Sequence, residues 1–252
     1  MERTTLPGRL AWQLGRVVEI IDETPRTKSL VLDVPGWRGH SAGQHVDIRL
    51  TAEDGYQVQR SYSIASPPEE RHIMLTVERL DDGEVSPYLT EVLQVGDQLE
   101  LRGPIGGYFT WRVADGGPLL LVAGGSGIVP LMAMLRHRAA QNSHVPTRLL
   151  YSSRAFEEII YRQELALLAA AAPTLTITHT LTRRQPPQWA GYARRIDPAM
   201  LAEVAWPPSA QPQAFVCGPT SLVESVASAL VELGHAALRV KTERFGPSGG
   251  TA

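Results

Sequence analysis

The sequence predicts two folds in tandem, an antiparallel β-barrel followed by a doubly wound parallel α/β sheet. Three observations predict this. Up to about residue 113 the chain is a series of short strand-like runs divided by turn residues. At 118–123 the pattern changes to an unbroken apolar run, Pro118-Leu119-Leu120-Leu121-Val122-Ala123, the signature of a strand buried on both faces. From there strand-like and helix-like segments alternate, as they do in a parallel sheet with crossover helices. The change falls at Ala114-Asp115-Gly116-Gly117, which divides the chain into domains 1–113 and 114–252.

In the first domain the expected strands are 16–21, 29–34, 45–50, 58–64, 72–77 and 98–102. Pro35-Gly36, Ala42-Gly43, Asp54-Gly55, Pro67-Pro68, Asp81-Asp82-Gly83 and Gly96-Asp97 supply the turns. One short helix, 86–93, interrupts the series. In the second domain a glycine turn follows the first buried strand and leads into a helix over 130–140. Strands at 147–151, 175–181, 214–217 and 238–242 then alternate with helices at 157–171, 198–204 and 221–233.

Composition narrows the function classes. Of 252 residues, 43% are hydrophobic and 20% charged, as in ordinary globular proteins, and the net charge of -2 gives nucleic acid no electrostatic foothold. No apolar stretch reaches the roughly 20 residues of a membrane span. Met1-Glu2-Arg3-Thr4-Thr5 leads into charged sequence without a signal-peptide core, so a cytoplasmic location is expected. Only Lys28 and Lys241 are lysines, an arginine bias typical of a base-composition effect. Cys217 is the single cysteine, which excludes an internal disulfide and an iron–sulfur cluster built on four thiolates of this sequence. The seven histidines show no pair at helical ligand spacing, so no metal site is expected. Redox chemistry here calls for an organic cofactor.

Arg60-Ser61-Tyr62-Ser63 carries the most chemistry in the first domain. Alternation places Arg60 and Tyr62 on one strand face and Ser61 and Ser63 on the other. An arginine grips a pyrophosphate bidentately, a tyrosine ring lies on a flat heterocycle, and a serine bonds a ring nitrogen. A barrel strand with polar residues facing water fits the same four residues. Asp82-Gly83-Glu84-Val85-Ser86 opens the short helix, where a serine and free backbone N–H groups suit either a phosphate or a plain N-cap. Gly103-Pro104-Ile105-Gly106-Gly107 lets backbone approach a ligand, or is simply an interdomain loop.

In the second domain Gly124-Gly125-Ser126-Gly127-Ile128-Val129-Pro130 stands between the first buried strand and its helix, the context of a dinucleotide turn. Pro130 replaces the third glycine of the usual fingerprint, so the helix is expected to start without the close packing on the strand that this glycine allows. A tight turn with no ligand is the plainer alternative. At the end of the second strand stand Ser152, Ser153 and Arg154, with no carboxylate immediately there to bond ribose hydroxyls. Arg154 can pair with a 2′-phosphate, which favours NADPH while leaving NADH open, and Glu157 and Glu158 stand close by. Val216-Cys217-Gly218-Pro219 places Cys217 at a strand's carboxyl end, as ligand neighbour or as inert core. Glu243-Arg244-Phe245 ends the last strand, Phe245 serving to cap a flat ring or to fill core.

Together and in this order, these segments resemble the ferredoxin–NADP reductase superfamily over roughly residues 12–247. The resemblance implies a six-stranded FAD barrel and a pyridine-nucleotide domain. Arg60 would hold the FAD pyrophosphate with Ser61 beside it, Tyr62 would pack on the flavin, and Ser63 would approach flavin N5. Val77, Gly83, Val85 and Ser86 would line the FAD site, with Ser86 at the phosphates. Gly124, Gly125, Gly127, Ile128, Ser153 and Arg154 would border the nicotinamide nucleotide, and Cys217, Gly218 and Pro219 would place its reactive ring. Phe245 would cover the outer flavin face, and Glu243 would lie beside it as a proton relay. Catalytic roles thus fall on Ser63, Cys217 and Glu243.

The sequence continues past Phe245 for seven residues, a departure that brings it nearer the oxygenase-reductase and flavohaemoglobin branches. What the likeness implies is a reductase that takes hydride from NAD(P)H and passes electrons to a separate protein, namely a ferredoxin, a monooxygenase or a molybdoenzyme. The alternatives are a reductase of free flavin or dyes, and an electron-transfer subunit active only in a complex. No acid, histidine and nucleophile elbow accompany Ser63, so acyl transfer is not indicated.

Overall fold

The computed structural model describes residues 10–245. The N-terminal start read as free of a signal peptide, and the residues after Phe245, lie outside the described residues. Six strands form one antiparallel sheet: β1 (Gln13–Thr24), β2 (Thr27–Asp33), β3 (His45–Thr51), β4 (Gln57–Ser63), β5 (Ile73–Glu78) and β6 (Gln98–Ile105). Their order is β4-β3-β6-β1-β2-β5, so β4 and β5 are the two ends of the sheet. An isolated bridge between Ile64 and Leu75 brings these ends together at a seam, and α1 (Val85–Pro87) packs against β4. The barrel interior is filled by alternate residues such as Val17, Leu30, Leu32, Val46, Ile48, Leu75 and Leu101.

The expected helix 86–93 is instead the short α1 followed by a widened π-turn over Tyr88–Val92. Thr90 accounts for the widening. Its hydroxyl donates to the Ser86 carbonyl, 2.7 Å away, competing with the helical backbone bond at that position.

The second sheet is parallel, ordered β11-β10-β7-β8-β9. Its strands are β7 (Leu119–Gly124), β8 (Thr147–Ala155), β9 (Leu175–Arg184), β10 (Gln213–Pro219) and β11 (Val240–Phe245). Helices α2 (Ile128–Ala140) and α3 (Arg162–Ala171) cover one face, and α4 (Pro198–Val204) and α5 (Thr220–Glu232) the other. The continuous apolar run of β7 explains itself here. Leu119, Leu121 and Ala123 enter the α2 side of the core, while Leu120 and Val122 enter the α5 side. None of the described helices is long and apolar enough to cross a membrane.

Among the expected boundaries that move, two have a plain physical cause. The helix placed at 157–171 begins only at Arg162, because Ile159, Ile160 and Tyr161 turn inward and are buried. Tyr161 there has φ +58°, which ends any helix running in from Phe156. The last strand starts at Val240 and not at 238, since Ala237–Arg239 is a single 3-10 turn with Leu238 in solvent.

The barrel packs on the α2 face of the parallel sheet, where Ala42, Ala65, Phe109 and Trp111 join one core with β7 and α2. Polar attachments flank this core. Arg136 donates to the Ala65 carbonyl at 2.9 Å, and Glu69 meets His137 Nδ1 at 2.7 Å.

Candidate active site

At the seam, β4 presents a free edge, since its only ladder partner is β3. Arg60 projects from it with its guanidinium 3.8 Å from Glu84 and Nη1 on the Gln59 carbonyl at 2.8 Å, leaving donors toward solvent. Tyr62 is half-buried against the barrel core, and burial pushes its hydroxyl pKa up to about 12 despite the nearby Arg60 charge. Ser63 is buried, and its Oγ has no hydrogen-bond partner among the described residues. A buried hydroxyl without a partner costs free energy, so this one marks a place where a polar ligand atom fits.

Two expected site residues are engaged otherwise. Ser61 donates to Asp47 Oδ1 at 2.6 Å, and Asp47 is held in turn by Arg102, so Ser61 belongs to a polar ladder on the opposite strand face. Ser86 is not the helix cap. Glu84 stands there, without a side-chain cap, and Ser86 Oγ accepts from the Leu80 N–H at 3.0 Å, closing the 80–86 loop. A Cβ on Gly83 would meet that Oγ at 3.0 Å, which ties the glycine to the same loop. Val77, before this loop, and Val85, within it, are buried in the barrel core.

In the parallel sheet the chain reverses direction of winding at β7, whose neighbours are β10 and β8. That switch point is where ligands bind in open sheets of this kind. The glycine turn sits at its mouth. Gly125 adopts φ +54°, and α2 begins at Ile128 directly after Gly127. Contrary to the sequence expectation, the helix start packs closely on a strand. A Cβ on Gly127 would lie 2.2 Å from the Cys217 carbonyl oxygen, so Gly127 performs the close approach expected of a third glycine. Gly218 makes an equivalent approach to Gly124, within about 3 Å of its backbone.

Cys217 is fully buried, and burial holds its thiol pKa well above the ordinary value, with the Glu243 carboxylate adding to the shift. Glu243 lies opposite it in the β10–β11 ladder, and Pro219 lies opposite Phe245. Glu243 Oε2 is buried without a partner among the described residues, and burial raises the carboxyl pKa to about 7. Phe245 is half-buried and packs against the α2-side core. Further along β8, Ser153 is buried with an unpartnered Oγ, while Arg154 is exposed and enters no ion pair among the described residues. Glu157, the nearest competitor for its charge, pairs with Arg184.

Sequence reasoning passed over Glu78, at the end of β5. Its Oε2 lies 3.8 Å from where a Cβ on Gly125 would be, so the barrel meets the glycine turn here. It also passed over Arg136, and it noted Tyr161 only as standing beyond Arg154, with no partner assigned. The one available signal was an arginine closing a long apolar run, Leu131-Met132-Ala133-Met134-Leu135-Arg136.

The comparisons with known proteins agree with this arrangement. Residues 15–110 match the family model described as an oxidoreductase FAD-binding domain, and residues 121–228 match the oxidoreductase NAD-binding domain. The NADH-cytochrome b5 reductase 1 of Aspergillus fumigatus is 30% identical over 80% of this chain and 67% of its own length. The chain belongs to the ferredoxin–NADP reductase superfamily. The glycine betaine monooxygenase reductase subunit of Chromohalobacter salexigens is 34% identical over 92% of the chain. The chain spans slightly under two thirds, 63%, of that relative. Among solved structures, the flavohem-like FAD/NAD-binding domain of nitric oxide dioxygenase from Vibrio cholerae superposes with a TM-score of 0.83 at 27% identity. That match covers 93% of this chain and 99% of the neighbour. A Neisseria gonorrhoeae ferredoxin NADP+ reductase with bound FAD and NADP shares the fold, with a TM-score of 0.79 at 20% identity, covering 92% and 98%.

Proposed function

We propose that this chain is an FAD-dependent reductase that oxidises NAD(P)H and passes electrons to a separate protein, an oxygenase or a ferredoxin-type carrier. Residues 1–113 form the FAD part and 114–252 the nucleotide part. The observation that carries this reading is the pair of buried, unpartnered oxygens, Ser63 Oγ at the barrel seam and Glu243 Oε2 at the end of β11, one on each of two domains matched to cofactor-binding families. When bound, the flavin supplies a two-electron hydride acceptor that can release electrons singly.

The chain's own residues do the rest. Arg60 takes the pyrophosphate with the donors not held by the Gln59 carbonyl, along the β4 edge. Tyr62 supports the ring, and Ser63 donates to a ring nitrogen, satisfying its orphaned hydroxyl. Val77, Gly83, Val85 and Ser86 shape the seam. Gly124, Gly125, Gly127 and Ile128 admit the dinucleotide backbone, while Cys217, Gly218 and Pro219 place the nicotinamide. Glu243, with a pKa near neutrality, holds or gives up a proton beside the reacting atoms, and Phe245 shields them from water. Ser153 and Arg154 receive the adenosine ribose and its 2′-phosphate, which favours NADPH.

The single cysteine cannot ligate a four-thiolate cluster in this sequence, so the acceptor is a group outside these 252 residues. Relatives named as monooxygenase reductase subunits support an oxygenase as that acceptor. A visible spectrum of the purified protein, followed by anaerobic titration with NADPH and NADH, tests the reading. Flavin absorbance bleached by either nucleotide supports it; a colourless protein that takes up no FAD overturns it.

A further inference from the structure

The two domains are joined by a partly buried polar clamp that the reductase reading leaves without a role. From α2, the Arg136 guanidinium reaches across to the barrel, donating to the Ala65 carbonyl at 2.9 Å and lying 3.2 Å from Met74 Sδ. Its charge is met within its own domain by a bidentate pair to Glu164 of α3, at 2.8 and 2.6 Å. The same guanidinium lies over the Tyr161 ring, 4.9 Å from its centroid. Tyr161 carries the second attachment, its hydroxyl donating to Thr76 Oγ1 of β5.

That bond begins a directed row. Ser29 donates its one proton to Glu23 Oε1 at 2.7 Å, so in the 2.8 Å contact between Ser29 and Thr76 it is Thr76 that donates. Thr76 is therefore left to accept from Tyr161, and the order Tyr161 to Thr76 to Ser29 to Glu23 has no slack. Three hydroxyls and a carboxylate agree on one arrangement.

Tyr161 is also strained. A bulky aromatic residue at φ +58° is rare, and such a conformation persists only where its surroundings dictate it. Here they dictate it through the clamp, because the left-handed turn at the start of α3 is what directs the ring beneath Arg136 and the hydroxyl onto Thr76. Both attachments land beside the seam, Thr76 on β5 and Ala65 just past the end of β4. Ala65 lies two residues beyond Ser63, and Thr76 immediately precedes Val77.

The geometry points to Arg136 and Tyr161 as positioning residues that set the angle between the two domains, and thereby the distance from the nucleotide turn to the seam. This inference rests on the reductase reading above. Neither side chain needs to touch a cofactor for this. Hydride transfer is steep in donor–acceptor distance, so a shift of an ångström between rigid domains suffices to slow it.

The test uses flavin-loaded wild type, Tyr161→Phe and Arg136→Met, mixed anaerobically with saturating NADPH or NADH and with the 4-deuterated nucleotides. Tyr161→Phe keeps the ring and the backbone conformation while removing only the hydroxyl, so it stands if Arg136→Met folds poorly. The expected result is a limiting rate of flavin reduction lowered about tenfold in Arg136→Met and about threefold in Tyr161→Phe. The half-saturating nucleotide concentration should stay within about twofold, the deuterium effect should persist, and the long-wavelength charge-transfer absorbance should weaken. Limiting rates equal to wild type, with only a lower unfolding temperature, overturn the clamp's role, as does a loss confined to nucleotide affinity. Wild-type flavin that no nucleotide bleaches sinks the reductase reading and this inference together, whereas bleaching at one rate in all three proteins sinks the clamp alone.

Discussion

Cys217 and Glu243 stand opposite each other in the parallel β10–β11 ladder, a buried thiol facing a half-buried carboxyl whose pKa burial lifts to about 7. The pair puts a group that titrates near neutrality where β10 meets the glycine turn. A carboxyl with a folded pKa above its unfolded value of 4.5 binds its proton more tightly in the folded state. The stability it contributes is present below about pH 4.5 and is lost as pH rises through about 7. Glu243→Gln should flatten the unfolding free energy of the apoprotein between these limits by on the order of 2 kcal/mol, read from denaturant melts at pH 5 and pH 8. Identical pH profiles for both proteins would show that Glu243 is not the titrating group.

Ser63→Ala should separate stability from activity. Removing a buried hydroxyl that lacks a partner leaves the apoprotein unchanged or stabilises it by about 1 kcal/mol. In the flavin-loaded protein the same change should slow flavin reduction about tenfold with FAD still retained, since one donor to the ring is lost. Rapid-mixing kinetics beside thermal melts read both effects, and an unchanged reduction rate would remove Ser63 from the site.

Gly127→Ala places a methyl group 2.2 Å from the Cys217 carbonyl oxygen and 2.6 Å from the Gly218 nitrogen. Both obstacles are backbone, which cannot swing aside as a side chain can. The substitution should cost about 2–3 kcal/mol, lowering the unfolding temperature by roughly 5–10 °C, and should weaken nucleotide binding more than FAD binding. Differential scanning calorimetry and parallel titrations with FAD and NADPH check it.

Arg154→Ala should raise the half-saturating concentration of NADPH about tenfold while leaving that of NADH within about twofold, because only the former carries the phosphate this arginine meets. Equal effects on both nucleotides would assign Arg154 to general electrostatics and not to discrimination.

Much of this architecture was legible in the residues. The switch from short runs to the unbroken apolar β7 located the parallel sheet, because a strand covered by helices on both faces has no polar side to show. The Gly124–Gly127 turn was legible because its position between strand and helix limits what it can be. Less legible were features decided by distant partners. Ser61 reads as a site residue until Asp47, fourteen positions away, claims its hydroxyl. Ser86 reads as a cap until the Leu80 N–H reaches it. Pro130 suggested a loosely seated helix, yet the close contact is made by Gly127 against a strand ninety residues later in sequence. The start of α3 was missed because helix propensity at 157–161 is overridden by the burial of Ile159, Ile160 and Tyr161.

The solitary thiol has a practical consequence. With one cysteine in 252 residues, and that one sealed beneath the glycine turn, the protein carries its own clock of opening. A thiolate-seeking reagent reaches Cys217 only when the sheet around the nucleotide turn parts, so the labelling rate counts those openings directly. Slower labelling in the presence of nucleotide would measure how firmly the occupied turn is held shut, without a single engineered residue.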